Sequence, residues 1–553
     1  MSATRVYGID LGTTYSCIAC VDEHGKPVVL ANEDNDLTTP SVVFFESAEN
    51  IVVGQQAKSQ VAIYPDQCVS TVKRAMGDAN WRFEAFGQTY RPQDISSFIL
   101  RKVVRDAEKI TGEPIRDVVI TVPAYFGQNE KEATRQAGEL AGLTVRNIIP
   151  EPTAAALAYG LERESDEVIL VYDLGGGTFD VTLIEVRADE LNVIATGGDH
   201  QLGGKDWDDV IVEFFAQAIA AETGAAAEAV TQDQETYQEL LLMAERFKRA
   251  LTSRTSVSES TRFEGERVRL ELTRERFDEL TRHLLERTLS LAEQELEKAR
   301  ERGHARIDRL LLVGGSTFMP QVISAVQERF PIEVSHFDPN QAVAKGAAVF
   351  GFKCYLDEQI RMGVAQATGQ SAAEVDLEAV DTGVLESARK EVATVHGLSL
   401  PGLRKLVDRK MVDVTSKSFG IVVMTDDDRE MVANLILRDH RVPTEVTQQF
   451  GTYADGQVQV DLRCMENAFR DEPTVNPADC KAIGQAVLGF PRPMPKGSPI
   501  EVTFALGPDG LLHLRGVDLA TGGDIRADFR TDAIMSLEEV EEARSRNLAL
   551  AVS

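Results

Sequence analysis

Leu170–Val186 is LVYDLGGGTFDVTLIEV, and Val6–Asp22 is VYGIDLGTTYSCIACVD. Each runs an apolar strand pattern into an aspartate, then leucine, glycine and threonine, then alternates apolar residues out again. Glycines after a strand let backbone N–H groups approach an anion, and consecutive N–H groups form a nest that holds it. In both copies an aspartate closes the strand, Asp10 and Asp173, where a carboxylate could hold a magnesium ion through its waters. Threonine hydroxyls follow at Thr13, Thr14 and Thr178. Taken singly, either stretch suits an ordinary hairpin. Two copies, with a third glycine turn in VGGSTFMP (Val313–Pro320), point to two homologous lobes clamping one phosphate chain from opposite sides. Neither copy is a Walker loop, because no G-x-x-x-x-G-K-[ST] occurs and strand rather than helix follows each turn.

The rest of the chain sets bounds on this reading. At 553 residues several domains are expected. With 43% apolar and 26% charged residues the chain is soluble and can bury ample cores. A formal charge of -30 argues against a non-specific polyanion partner, since phosphate-backbone affinity rests on clustered Lys and Arg. Six cysteines are too sparse for a disulfide framework. Cys17 and Cys20 have redox-motif spacing, but they fall mid-strand with no helix start to lower a thiol pKa, which predicts buried structural residues. No stretch approaches ~18 uninterrupted apolar residues and the start lacks an apolar signal core, so a cytoplasmic protein with no membrane or nucleic-acid partner is expected.

Residues 1–354 alternate strand-like runs (DVVITVPAYF, RLLLVGG) with helical ones (NEKEATRQAGELAGL), the pattern of an α/β architecture with largely parallel sheets. From 355 to 412 the texture is polar and Ala/Glu-rich, which predicts a helical inserted connector and linker. Ser371 with Glu374 forms a capping-box pattern there, and a helix should stop at Gly397. From 413 to 530 short β-rich runs and turn signals (PDG, TGGD) predict a compact antiparallel β domain. Residues 531–553 should form one helix opened by a second capping box, Ser536 with Glu539.

The order and spacing of GIDLGTTYSCIA, VPAYF, IIPEPTAAALAYGL, DLGGGTFDV, LGGKDWDD, AERFKRAL and LLVGGSTFMP resemble the seventy-kilodalton heat-shock chaperones. The resemblance covers 1–353 and extends more weakly through 413–530 in DVTSKSFGI, RVPTEVTQQF and GFPRPMPKGSPIEVTFALGPDGLLHL. It implies a two-lobed actin- and hexokinase-like ATPase followed by a β-sandwich peptide-binding domain. It also implies ATP or ADP with magnesium, and potassium as a further candidate cation. By position, Asp10 and Asp173 resemble the magnesium-water ligands. Gly12, Thr13, Thr14 and Tyr15 would form the first phosphate turn, and Gly175, Gly176, Gly177 and Thr178 the second. Lys73 would reach the γ-phosphate, and Glu151 and Asp180 would orient the attacking water. Without that register Lys73 suits a solvated helix lysine and PEPTAAALA a simple helix start with Pro152 at its first position. Glu245, Lys248, Arg249 and Thr252 share one helix face by spacing, an ordinary salt-bridged face in isolation, where the family holds ribose and adenine. Gly203, Gly204, Gly314, Gly315, Ser316 and Phe318 complete the implied nucleotide site. In the β domain Ile421, Met424, Phe450, Val458 and Val460 match groove positions and Tyr453 an arch residue. Their alternation equally suits sandwich core.

Five departures from the family pattern stand out. Phe318 replaces an arginine in the adenine slot, where an aromatic face still stacks on a base at ~1–3 kcal/mol. Lys205 replaces a glutamate near the cleft. Pro150 replaces an asparagine on the surface that meets a J-domain partner and removes a backbone donor, so a generic J-domain contact is in doubt. The linker has Lys410, Met411 and Val412 in place of leucines, each lost apolar residue worth ~1.5–3 kcal/mol of burial, so weaker domain coupling is expected. The connector lies outside the pattern, and the helical lid is missing, so a bound peptide should exchange quickly. The leading expectation is an ATP-dependent chaperone for unfolded or extended segments, with a J-domain co-chaperone and a nucleotide exchange factor as candidate partners. The alternative is a nucleotide-switched adaptor or exchange-factor-like relative specialised for one partner. A sugar kinase is disfavoured, because the chain spends over 100 residues on a β domain such an enzyme does not need.

Overall fold

A computed structural model describes residues 5–161, 166–187, 189–304, 306–377, 379–507, 511–528 and 533–553. The duplicated sequence pattern becomes a duplicated topology. In the first lobe, strand Val6–Asp10 pairs antiparallel with Tyr15–Val21 and parallel with Asp117–Val122, which pairs parallel with Thr144–Pro150. In the second, Glu167–Leu174 pairs antiparallel with Phe179–Val186 and parallel with Arg309–Val313, which pairs parallel with Glu333–His336. Both strands that carry the key aspartates at or next to their ends are therefore central, buried on two faces, which is why they are almost uninterrupted apolar runs. Cys17 and Cys20 sit buried in strand Tyr15–Val21, as their position in the pattern requires.

Two helices join the lobes. Glu151–Leu161 and Ala342–Thr368 pack in the core between the sheets, with Ala154, Ala155, Ala347 and Ala348 fully buried. Gly346 lies against the Ala154 backbone with no room for a Cβ, so the helix axes approach as closely as backbones allow. The expected boundary at 354/355 falls inside the Ala342–Thr368 helix, whose second half seeds the connector. Thr382–Val395 and Leu400–Val407 close over it around Leu356, Ile360, Val392 and Leu403. Gly397 adopts φ 65° just beyond the first of these helices, the expected stop. Ser371 and Glu374 do not form a capping box: a short 3-10 turn over Ala372–Glu374 is held by the backbone bond from Glu374 N to Ser371 O.

The linker is not loose. Lys410–Val414 adds a parallel strand to Glu190–Asp199 of the second lobe, and Met411 packs on the interlobe core. The 412/413 boundary thus falls within that strand. The sandwich beyond it has a five-stranded sheet (Thr474–Val475, Glu430–Ile436, Ser418–Met424, Gln457–Asn467, Lys481–Met494) facing a four-stranded one (Thr444–Gly451, Pro499–Leu506, Leu512–Asp518, Asp524–Asp528). It docks on both lobes. The Lys417 ammonium lies 3.5 Å from the Tyr125 ring centroid, Arg438 donates to Thr196 O at 2.7 Å, and Glu466 accepts from Gln128 N at 3.1 Å.

The expected boundary at 530/531 lies outside the described residues. Helix Leu537–Ala549 opens with the anticipated reciprocal caps between Ser536 and Glu539. It lies on the first lobe, not on the sandwich: buried Asp94 binds Arg546 at 2.7 Å and Asn547 at 2.9 Å, and Ala551–Val552 pairs parallel with Asn50–Val53. Among the described residues no helix is long and apolar enough to cross a membrane.

Candidate functional site

Both Asp–Gly–Thr turns open onto one cavity of about 500 Å³ between the lobes. Asp10, Gly12, Thr13, Thr14 and Tyr15 line it from the first lobe, and Asp173, Gly175, Gly176 and Thr178 from the second. The turns interlock. A Cβ at Gly176 would collide with the Thr14 hydroxyl, and one at Gly177 with the Thr13 side chain, so only glycine lets the two backbones approach this closely. The third turn closes the far wall through Gly314, Gly315 and Ser316, with Gly314 at φ 84°.

Charge is concentrated where the turns meet. Lys73, on a 3-10 turn over Val72–Ala75, is buried and ion-paired with Glu151, the first residue of its helix. Burial pushes Asp10 up to about 7, with Glu151 adding repulsion and Lys73 opposing it. Asp173 is raised by burial, then by Glu151, Asp180 and Asp10. Burial and Glu151 lift Asp180 to about 8, although Tyr125 N donates to it at 3.3 Å. Burial opposes the charged form of Lys73, but Glu151, Asp10 and Asp180 outweigh it and raise its pKa. Three buried carboxylates, Glu151, Asp173 and Asp180, and the half-buried Asp10 thus face one ammonium. That excess of negative charge fits a divalent cation bound with a phosphate chain. Among the described residues no group of three or more His, Cys, Asp or Glu side chains is arranged to hold a metal by itself, which leaves water and phosphate oxygens to complete any coordination.

The other end of the cavity is built by helix Gln234–Ala250 and the residues just after it, where Glu245, Lys248, Arg249 and Thr252 all line the wall. Glu245 accepts from Tyr15 Oη at 2.9 Å and pairs with Lys58, tying this helix to the first lobe across the cleft mouth. Lys248 binds Asp208 at 2.6 Å and Gly204 O at 2.6 Å. Burial pushes Asp208 up to about 6 against the pull of Lys248, and its Oδ1 has no hydrogen-bond partner. Phe318 is 44% exposed and stacks on His336, with 6.2 Å between centroids and 11° between planes. Lys205 lines the cavity and pairs with Asp209 at 2.5 Å.

Of the expected nucleotide residues, Gly177, Asp180, Gly203 and Gly204 stand behind the wall rather than in it. Asp180 acts on the cavity through the fields it imposes on Asp173 and Lys73. Asp208 and Asn340 line the cavity, Lys58 and Arg74 bond Glu245 and Gly177 from outside its lining, and none of the four was singled out by sequence pattern. Lys58 and Glu245 are 187 positions apart, and no local pattern joins them. Arg74 carried a signal, its place beside Lys73.

The six groove positions of the β domain do not share one environment. Ile421 is 3% exposed and packs in the sandwich core with Phe419, Leu462 and Phe504, because strand alternation turns it inward. Phe450 and Val460 lean partly on that core, whereas Met424, Tyr453 and Val458 are exposed. Tyr453 Oη bonds Asp428, joining its loop to the acidic loop after Met424. Pro150 ends its strand at a small cavity of about 120 Å³ where both lobes, the linker and the sandwich meet.

A family model described as Hsp70 protein matches residues 6–85, 78–354 and 391–551. The match resumes at 391, so of the connector only 355–390 lies outside the family pattern, and the final helix lies within it. Members of that family are chaperones and ATPases that work with ATP or ADP and magnesium. With nearly the whole chain matched in order, over a two-lobed cleft and a β-sandwich, the protein belongs to the Hsp70 family.

Proposed function

We propose that this chain hydrolyses ATP to ADP and phosphate in the interlobe cavity and uses the nucleotide state to regulate binding of extended, apolar polypeptide segments by the β domain. The convergence of both Asp–Gly–Thr turns and Lys73 on one cavity carries the reading. Phosphoryl transfer needs positioning and charge stabilisation more than covalent help. Thr13, Thr14 and Thr178 offer hydroxyls to phosphate oxygens, and Lys73 neutralises charge developing on the γ-phosphate. Glu151, held by Lys73, orients water, with Asp180 biasing the pair from behind. Asp10 and Asp173 would hold magnesium through water, and the ion supplies positive charge to the phosphate oxygens. Arg249 and Phe318 flank the base, Phe318 stiffened from behind by His336. Met424, Tyr453 and Val458 are the β-domain residues available to a peptide.

A second reading, a nucleotide-switched adaptor for one partner, draws on the helical unit around 355–390. It departs from the family pattern and exposes Met362 at 48%. Peptide-stimulated ATP turnover separates the two. Stimulation by varied unfolded peptides is the expected result. Response to a single native protein would favour the adaptor, and no turnover with or without peptide would overturn the ATPase.

A further inference from the structure

The carbonyls of the second phosphate turn are pinned one by one. Gly175 O accepts from Gly204 N at 3.0 Å and from Ser316 Oγ at 2.8 Å, and Gly176 O accepts from Lys205 N at 2.8 Å. All of those donors belong to the second lobe, as the turn does. Gly177 O is held differently: it accepts from Arg74 Nε at 2.9 Å, and Arg74 belongs to the first lobe.

Arg74 is anchored for that task. Its Nη1 and Nη2 donate to the two oxygens of Asp206 at 3.3 and 2.6 Å, a fork that a lysine has no geometry to reproduce. Asp206 in turn accepts from Gly203 N at 2.7 Å, and so fixes the start of helix Gly204–Thr223 that pins the other two carbonyls. Arg74 and Asp206 are both largely shielded, with 18% and 22% of their side chains exposed, so the pair is not simply a surface contact. Arg74 also follows Lys73 directly on one rigid 3-10 turn. Because the Gly177–Thr178 peptide is planar and trans, fixing Gly177 O fixes the direction of Thr178 N–H. Movement of one lobe against the other must therefore disturb the Thr178 amide and the position of Lys73 together.

We propose that Arg74 is a positioning residue for hydrolysis. It makes the set of the second phosphate turn depend on lobe closure by holding the Gly177–Thr178 peptide from the opposite lobe, with Asp206 as its anchor. This rests on the ATPase reading above, and the test separates the two. Single-turnover ATP hydrolysis, ADP affinity and amide exchange at Gly175–Thr178 are measured on the full chain, Arg74→Ala, Arg74→Lys, Asp206→Asn and the Arg74→Ala/Asp206→Asn double variant. Arg74→Ala should slow hydrolysis about 10- to 100-fold, change ADP affinity less than about threefold, and speed exchange at Thr178. Arg74→Lys should recover little of the rate, and the double variant should be no slower than Arg74→Ala alone. A parent-like rate in Arg74→Ala would overturn the proposal. So would full recovery by lysine, or ADP affinity falling in step with the rate. A parent that turns over no ATP would overturn the ATPase reading and this inference with it. An active parent with an unaffected Arg74→Ala would remove this inference alone.

Discussion

The interlobe cleft and the exposed face of the sandwich both carry residues matched by position to the family, and they differ in how those residues are held. In the cleft the charged matched side chains are held by others: Lys73 by Glu151, Glu245 by Tyr15 and Lys58, and Lys248 by Asp208. On the sandwich, Met424 and Val458 stand exposed and Ile421 has turned into the core. A site for a small, highly charged ligand must be preorganised, because its charges act in low dielectric and reorganisation is costly. A surface for varied apolar segments needs only accessible area.

That contrast can be broken from either side. The largest effect should come from Lys73→Ala, which removes the ammonium opposed to four carboxylates. Single-turnover hydrolysis should fall about 100- to 1000-fold, while fluorescence titration still detects ADP. An unchanged rate would separate the charge cluster from the chemistry. Ile421→Ala comes next, with a loss of about 2–4 kcal/mol in urea unfolding as expected for a buried core residue. Val458→Ala should stay within about 0.5 kcal/mol of the parent yet weaken capture of an apolar peptide. If the two variants behaved alike, the division between core and open face would fail. Phe318→Ala should cost about 1–3 kcal/mol of ATP affinity by calorimetry, and an unchanged affinity would remove the stacking wall.

The smallest effect is in pH. Asp10 and Asp180 have folded-state pKa values raised from 3.8 to about 7 and about 8. A raised carboxyl favours the protonated folded form, so its stabilisation is complete below the unfolded value and is lost as pH rises through the folded one. The nucleotide-free protein should melt at progressively lower temperature between about pH 5 and pH 8 as these two groups ionise. Magnesium with ADP should recover more of the melting temperature at the alkaline end, because the cation favours the ionised carboxylates. A flat profile in differential scanning fluorimetry would mean that the cluster is already neutralised.

Sequence by itself determined the duplicated lobes, the three glycine turns and the caps at Ser536 and Gly397, whereas Lys73, Glu151 and the Glu245 face entered only through the family resemblance. The lobes, turns and caps depend on local constraints: strand periodicity, the steric freedom of glycine, and capping over three or four residues. Only the tertiary structure decided that Ile421 faces inward, that helix Ala342–Thr368 runs unbroken into the connector, and that Lys410–Val414 joins the second-lobe sheet without a leucine run. It alone placed Lys58 against Glu245 and Arg74 against Gly177, contacts spanning 187 and 103 positions. The physical reason is common to these cases. A side chain's partner across a cleft, or the face a strand buries, is set by how whole elements pack, and that information is spread over the chain rather than written beside the residue.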